Sequence, residues 1–374
     1  MRGVDSLSYL MQFVYRLLLF SVMGSYGLNC SVGSWCRLAD VPISLGEICS
    51  VFWKDSIYVF GQGSSTTMKY STHSNSWSTL APRPYSGHHY TCHAIDNSIY
   101  LFGGLGTSSH KNVQIYHPQK NSWSSKSMPS RFQVGSACSA VIGNSVYIAG
   151  GITSHENTTD QMFKYSIASG EWSPLESMPD GGRNHAACGS DGIDLFVFGG
   201  RQGGNGLGRS FDQVFRYQVS SDSWSQVSTM RFARGGTGAA VWVSDRFFGF
   251  GGETNGKDQD VARFKTDSNV FPQVDAYLPS TGSWDFSTPS MMIPRHGIWP
   301  TLGMEKEIWV IGGGIKVGNS QSNVTTVFAI DSSPKTGVIP TVPSNTDADD
   351  SGVLQGSSAS VFIFLISAMF ILLQ

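Results

Sequence analysis

Short apolar runs recur along the chain, each ending on a glycine pair: Ile99-Tyr100-Leu101-Phe102 before Gly103-Gly104, Val146-Tyr147-Ile148-Ala149 before Gly150-Gly151, and Leu195-Phe196-Val197-Phe198 before Gly199-Gly200. Runs this short, bounded by glycine, read as strands covered on both faces rather than as helices. Gly251-Gly252 and Gly312-Gly313 continue the series, and Gly61-Gln62-Gly63 is a degenerate copy. After each pair comes a polar connection, then a Tyr, then a Trp seven residues on: Tyr70/Trp77, Tyr116/Trp123, Tyr165/Trp172, Tyr217/Trp224 and Tyr277/Trp284. Ahead of the apolar runs lie segments of small residues, such as 134–140 and 185–189. The unit repeats every ~40 to 50 residues, and such self-similarity decides the fold before any single element does.

The apolar strand ending in Gly-Gly, followed by Tyr and then Trp, resembles the kelch repeat over residues 35–330. The resemblance implies an all-β chain in which each unit is a four-stranded blade of a β-propeller. Trp35 stands on a strand with no Tyr strand before it, while the last unit, with Phe328 in the Tyr position, has no Trp strand after it. The two fragments complete each other. The expectation is a six-bladed kelch-type β-propeller closed by an N-terminal outer strand, which leaves no free sheet edge. Kelch propellers serve as binding modules, as adaptors and in a few cases as enzymes, so the fold alone does not give the function.

Composition fits this reading: 43 glycines and 12% aromatics, with only 14% charged residues, suit many short strands joined by tight turns. The net charge of −2, with no basic run, argues against a nucleic-acid partner, which would need a cationic face for the phosphates. The two ends differ from the repeats. Residues 1–27, with Arg2, Arg16 and the apolar run 17–23, read as a signal peptide. The propeller is expected over 28–331, a Ser/Thr/Pro-rich and then acidic stalk over 332–350, and a GPI-anchor propeptide over 351–374, with Asp350 as the lipidation site. The sequons at Asn29, Asn157 and Asn323 are expected to be glycosylated, the last two in loops after glycine pairs. Together these imply a secreted protein lipid-anchored to the outer leaflet of the plasma membrane.

Candidate chemistry changes the picture less. Cys49, Cys92, Cys138 and Cys188 stand 11 or 12 residues before their glycine pairs, one inner-strand position in four successive blades. Sheets packed about 10 Å apart would keep them unbridged, as small buried hydrophobes. Cys30 and Cys36 flank Trp35, and a bridge from one of them, for instance to Cys49, would staple the seam. His88, His89, His93, His185 and His296 lie near inner-strand starts, where a propeller could gather them at its axis as in the copper centre of galactose oxidase. That enzyme's ring has seven blades, and no His-x-His or Cys-x-x-Cys spacing is present, so neither metal nor cofactor is expected. Arg183, Arg234 and Arg295 stand 16 or 17 residues before their glycine pairs. The family resemblance implies that they ring the channel mouth, a cationic half-rim fit for a carboxylate or an acidic peptide.

The connection from the second glycine to the Tyr or Phe lengthens from 12 residues in blade two through 14 and 17 to 25 in blade five, then falls to 15 in blade six. Long connections without structural need are usually functional. The blade-four loop brings Arg201 and Arg209, and the blade-five loop Glu253, Lys257, Asp258, Asp260 and Arg263. The expected function is a non-catalytic cell-surface module that recognises an extracellular protein or acidic glycan through the loop face of blades 4–6. The alternative is a lectin or a carbohydrate-directed enzyme at the channel mouth, with Glu253 and Arg201 standing in for the acid/base pair of kelch-type bacterial sialic-acid epimerases.

Overall fold

Each apolar run becomes the second strand of a four-stranded antiparallel sheet. The computed structural model describes residues 30–61, 64–106, 111–153, 155–203, 208–254, 269–304 and 306–330. In chain order these hold β1 (Trp35–Arg37), then blade 1 of β2 (Cys49–Trp53), β3 (Ser56–Phe60), β4 (Thr67–Ser71) and β5 (Ser76–Leu80). Blade 2 is β6 (Thr91–Ile95), β7 (Ser98–Phe102), β8 (Asn112–His117) and β9 (Ser122–Ser127). After β10 (Val134–Gly135), blade 3 has β11 (Cys138–Ile142), β12 (Ser145–Ala149), β14 (Met162–Ser166) and β15 (Trp172–Leu175), with β13 (Ile152–Thr153) between its second and third strands. Blade 4 is β16 (Ala187–Ser190), β17 (Leu195–Phe198), β18 (Gln213–Gln218) and β19 (Ser223–Thr229). Blade 5 is β20 (Val241–Val243), β21 (Arg246–Phe250), β22 (Val274–Leu278) and β23 (Ser283–Asp285). Blade 6 is β24 (Thr301–Leu302), β25 (Glu307–Ile311) and β26 (Thr325–Ala329), completed by β1.

The step of seven from Tyr to Trp is a register. Tyr70 faces Trp77, Tyr116 faces Trp123, Tyr165 faces Trp172, Tyr217 faces Trp224 and Tyr277 faces Trp284 as direct cross-strand partners. Trp35 on β1 takes the same place opposite Phe328, so the closing strand lies where the sequence puts it. The inner strand of blade 3 is shorter than the small-residue run suggests: Val134 and Gly135 pair with β13 instead, and β11 begins at Cys138.

The glycine pairs mark the places where one blade touches the next. The second glycine donates its N–H to a carbonyl just before the following inner strand: Gly104 to Val134, Gly151 to Arg183, Gly200 to Arg234, Gly252 to Arg295 and Gly313 to Leu45. The first glycine has positive φ, and a Cβ there would lie 1.9 Å from the Val134 oxygen at Gly103 or 2.2 Å from the Arg183 oxygen at Gly150. No other residue meets both demands.

The cysteines correct the sequence expectation. Cys49 is bridged to Cys92, Cys138 to Cys188 and Cys30 to Cys36, with Cα–Cα distances of 6.0, 5.2 and 5.8 Å. The inner-strand register stands, but the sheets are wedges rather than parallel layers. Near the axis adjacent inner strands close to within disulfide reach, whereas the 10 Å spacing describes sheets stacked face to face. Cys49 and Cys138 stand 12 residues before their glycines, Cys92 and Cys188 eleven. That one-residue offset turns a pleated side chain to the opposite face, so each pair meets across one interblade gap. The Cys30–Cys36 bridge lies within the closing segment, and Cys49 is not its partner.

The chain divides at Ser332, with residues 333–374 as a second unit. The expected signal peptide, stalk and anchor segments, with Asn29 and Asp350, lie outside the described residues.

Candidate functional site

Just before each inner strand one residue has a left-handed backbone: Glu47, His89, Ser136, His185, Gly236 and Gly297, with φ between 45° and 84°. Each hands a hydrogen bond to its neighbour around the axis. The N–H of His89 donates to the Glu47 carbonyl, Ser136 to His89, His185 to Ser136, Gly236 to His185 and Gly297 to Gly236, and Ile48 N–H closes the circle onto Gly297. The result is a six-membered girdle, one residue per blade. Four of its members carry side chains despite the backbone strain, and such outliers point to a site that the surrounding fold enforces.

A second tier comes from the residue after each glycine pair. These residues bridge back to the segment entering the same blade: Leu105 to His88, Arg201 to Asn184, Glu253 to Gly235 and Gly314 to His296. The tier is apolar at Leu105 and Ile152 in blades 2 and 3, then charged at Arg201 and Glu253 in blades 4 and 5. Glycine on the girdle makes the room: a Cβ at Gly236 would crowd Glu253 Cγ at 3.3 Å, and one at Gly297 would meet Glu47 Cδ at 2.9 Å.

Two carboxylates, three imidazoles and one guanidinium thus converge. Arg201 Nη1 lies 2.5 Å from Glu253 Oε1 and its Nη2 lies 2.8 Å from His185 Nε2. His89 Nε2 is 2.9 Å from both Glu47 Oε2 and His185 Nε2. His296 Nδ1 faces Glu253 Oε1 at 3.4 Å and Glu47 Oε1 at 3.8 Å, and the second Glu253 oxygen accepts from Gly318 N–H at 2.8 Å. Glu253 and His296 are buried, as are His185 and Arg201. Burial, then the charges of Arg201 and His89, hold His185 well below the ordinary imidazole range, so it is neutral. Burial would raise Glu47, but its pairing with His89 outweighs it and keeps the carboxyl below its usual range. His88, hydrogen-bonded to His89 through the Nδ1 atoms, is pushed down to about 4 by burial and then by His89. Beneath the cluster the axial cavity measures about 30 Å³, room for water or an ion rather than a sugar ring.

Of the residues singled out in the sequence, Arg201 and Glu253 are brought together as a pair, and His89, His185 and His296 join them. His93 does not: it turns aside to Ser139 Oγ at 2.7 Å. Glu47 escaped notice because it lies on the degenerate first repeat; its offset from the inner-strand cysteine, close to that of His89, was the available signal.

The cationic half-rim needs correcting. Arg183 and Arg295 are at most 1% exposed and Arg234 is 6% exposed. Arg183 donates to the Gly199 carbonyl at 3.1 Å and lies over the rings of Phe211 and Phe215. Arg295 donates to the carbonyls of Val310, Gly312 and Val324. Arg234 pairs with Asp275 at 2.9 Å. These guanidiniums bind main chain and core within their blades, where no ligand carboxylate reaches, and burial pushes Arg183 down to about 10 and Arg295 to about 9. Arg209 is exposed, packed over Phe211. Lys257, Asp258, Asp260 and Arg263 lie outside the described residues. Asn157 and Asn323 are exposed and outside the strands, as their sequons require.

Comparison with known proteins agrees with the architecture. The KLHDC2/KLHL20/DRC7 Kelch-repeats domain matches in three overlapping registers, residues 47–234, 90–281 and 135–349. Kelch-like protein terF of Aspergillus terreus is 27% identical over 326 residues, 79% of this chain and 68% of that protein. Kelch-like protein 15 of Mus musculus is 26% identical over 68% of this chain, and Kelch-like protein 23 of Homo sapiens is 27% identical over 40%. The chain spans only 43% and 28% of those two relatives' own lengths. Among solved structures, that of YjhT superposes with a TM-score of 0.65 at 18% identity, covering 77% of this chain and 95% of that one, a likeness of fold.

Proposed function

This chain belongs to the kelch-repeat family, whose propellers typically bind proteins, and we propose that it does so outside the cell, recognising an extracellular protein or acidic glycan through the loop face of blades 4–6. The observation that carries the reading is the asymmetry of the mouth. At equivalent positions blades 2 and 3 carry Leu105 and Ile152, while blades 4 and 5 carry the buried ion pair Arg201–Glu253, and Arg209 stands exposed on the blade-4 connection. The sequon asparagines stand on blades 3 and 6, so their glycans would leave the loops of blades 4 and 5 uncovered. All six cysteines are paired, which supports an oxidising compartment and hence secretion. Attachment to the plasma membrane through a lipid at Asp350 completes the proposal.

The test is proximity labelling from the cell surface with three chains: wild type, one with residues 255–267 replaced by a short Gly/Ser turn, and one with 106–110 replaced likewise. The first exchange, and Arg209→Ala, should remove the labelled partner while leaving secretion intact. If the blade-2 exchange is the more damaging, the binding face lies elsewhere. Phosphatidylinositol-specific phospholipase should release the full chain from cells, and truncation at Asp350 should send it to the medium; retention after that truncation would count against the lipid anchor.

A lectin or carbohydrate-directed enzyme is the second reading, favoured by the buried Arg201–Glu253 pair beside a neutral His185. The small axial cavity weighs against a sugar entering the channel. Saccharide arrays decide: strong array binding with no labelled protein partner would favour it.

A further inference from the structure

The girdle places Glu47 of blade 1, His89 of blade 2 and His185 of blade 4 with their side chains converging on one point at the axis. The ligating atoms Glu47 Oε2, His89 Nε2 and His185 Nε2 lie within 4.8 Å of one another, and His89 Nε2 is 2.9 Å from each of the others. We propose that these three side chains form a binding site for a divalent first-row transition-metal cation, zinc being the best match to the donor set.

The hydrogen bonds behind the ligands set the imidazole lone pairs. Asn184 Nδ2 donates to the Gly203 carbonyl and to Thr158 Oγ1, both at 2.9 Å, so its Oδ1 is the end that faces His185 Nδ1. Oδ1 only accepts, so the proton of His185 sits on Nδ1, and its Nε2 lone pair accepts from Arg201 Nη2 at 2.8 Å while facing His89 at 2.9 Å. Ser136 Oγ, 2.7 Å from the same Nδ1, fixes the ring further. His89 Nδ1 faces His88 Nδ1, an imidazole nitrogen that donates or accepts according to its tautomer. When His88 accepts the His89 Nδ1 proton, the Nε2 lone pairs of His89 and His185 face each other at 2.9 Å beside Glu47 Oε2, three donor atoms that a cation can share; without one, a proton on His89 Nε2 serves Glu47. A metal-ligating histidine held through its second nitrogen is the usual arrangement. Two imidazoles and one carboxylate suit a borderline cation such as Zn²⁺, and three protein ligands leave a fourth position for water or for a group on a bound partner.

The charges balance in the same direction. Glu47 and Glu253 carry two negative charges against the single positive charge of Arg201. The guanidinium is anchored to Glu253 through Nη1, so on metal binding only its Nη2 contact to His185 is given up. Among the described residues His296 Nδ1 has no hydrogen-bond partner although the residue is fully buried, and it faces Glu253 Oε1 at 3.4 Å and Glu47 Oε1 at 3.8 Å. The ligands stand on the hydrogen-bonded girdle and are preorganised by it. No sequence motif announces the site, because its ligands come from three blades.

The experiment is calorimetric titration of the chelator-stripped full chain with ZnCl2 alone at neutral pH. One zinc per chain should bind, and Glu47→Gln and His89→Ala should each weaken it by about 100-fold or more, with far-UV circular dichroism unchanged. His73→Ala, on an exposed turn of blade 1, should bind as wild type, and zinc K-edge absorption of the loaded protein should show two imidazoles. Absence of saturable one-to-one binding, wild-type affinity in the Glu47→Gln protein, or an equal loss in His73→Ala would overturn the site. If His89→Ala does not fold, Glu47→Gln decides alone.

Discussion

Two glycines with nearly the same backbone separate conformation from contact. Gly150 has φ of 66° and a Cβ position 2.2 Å from the Arg183 carbonyl oxygen, whereas Gly143 has φ of 57° and nothing within 4 Å. Gly143→Ala should cost only the left-handed backbone, about 1 kcal/mol. Gly150→Ala must also push blade 4 away from blade 3 and should cost several times as much, read as the shift in urea midpoint. Buried histidines make stability depend on pH. His93 and His88 are both pushed down to about 4, chiefly by burial, while in the unfolded chain each titrates near ~6.5. Between those values the unfolded chain binds more protons, so their contribution is complete above pH ~6.5 and is lost as pH falls toward 4. Urea midpoints from pH 7.5 to 4.5 should fall accordingly, and His93→Gln should flatten the slope; a midpoint independent of pH would refute this. The arginines show where residue-level reading stopped short: their spacing located Arg183, Arg234 and Arg295 correctly, but spacing does not reveal that a guanidinium turns inward to main-chain carbonyls.

Blades are joined by a clasp that the sequence shows only in part. In blade 2, Asn121 Oδ1 accepts from the Tyr116 hydroxyl at 2.8 Å and from the Ala81 N–H at 2.9 Å, while Trp123 Nε1 donates to the Ala81 carbonyl at 2.9 Å. The same arrangement holds Ala39 between Asn75 and Trp77, and Glu176 between Asp222 and Trp224. One residue leaving a blade is thus gripped at both its N–H and its carbonyl by the next. The Tyr and Trp of this device were legible from their constant step, because a cross-strand register repeats in sequence. Its Asn or Asp was not, because a polar residue in a turn has a sufficient local explanation in turn chemistry. Asn121→Ala should leave Ala81 N–H and Tyr116 Oη without this acceptor and cost about 1–2 kcal/mol. In a double-mutant cycle with Tyr116→Phe the two losses should be less than additive, since they share one acceptor; strict additivity would mean that Asn121 acts through its turn alone. The cysteine pairs were not legible for a related reason: the spacing of face-to-face sheets does not hold where blades narrow toward the axis and Cα atoms approach to 5.2–6.0 Å.

A ring of six blades is held at every junction, but not in the same way. Blades 1 and 2 share Cys49–Cys92, and blades 3 and 4 share Cys138–Cys188. Blade 6 instead closes through β1, where Trp35 packs against Phe328 and Phe250 and donates from Nε1 to the Pro289 carbonyl. The girdle of main-chain hydrogen bonds passes through all six junctions, so opening one loosens its neighbours. These fastenings differ in kind, and their removal should differ in outcome. The Cys138–Cys188 bridge spans 50 residues, and the entropy it removes from the unfolded chain is about 4 kcal/mol. Replacing both cysteines with alanine should lower stability by up to that amount while leaving a closed, monomeric ring. Deleting residues 28–38 removes no covalent link between blades, yet it exposes the whole edge of β26 with its Val327 and Phe328, and an apolar unpaired edge recruits another strand. The deleted chain should therefore aggregate, whereas the double alanine variant should remain monomeric with a lower melting point. Light scattering of the two proteins compares them directly. A soluble, monomeric deletion variant would mean that the closing strand is dispensable and that the girdle alone holds the ring shut.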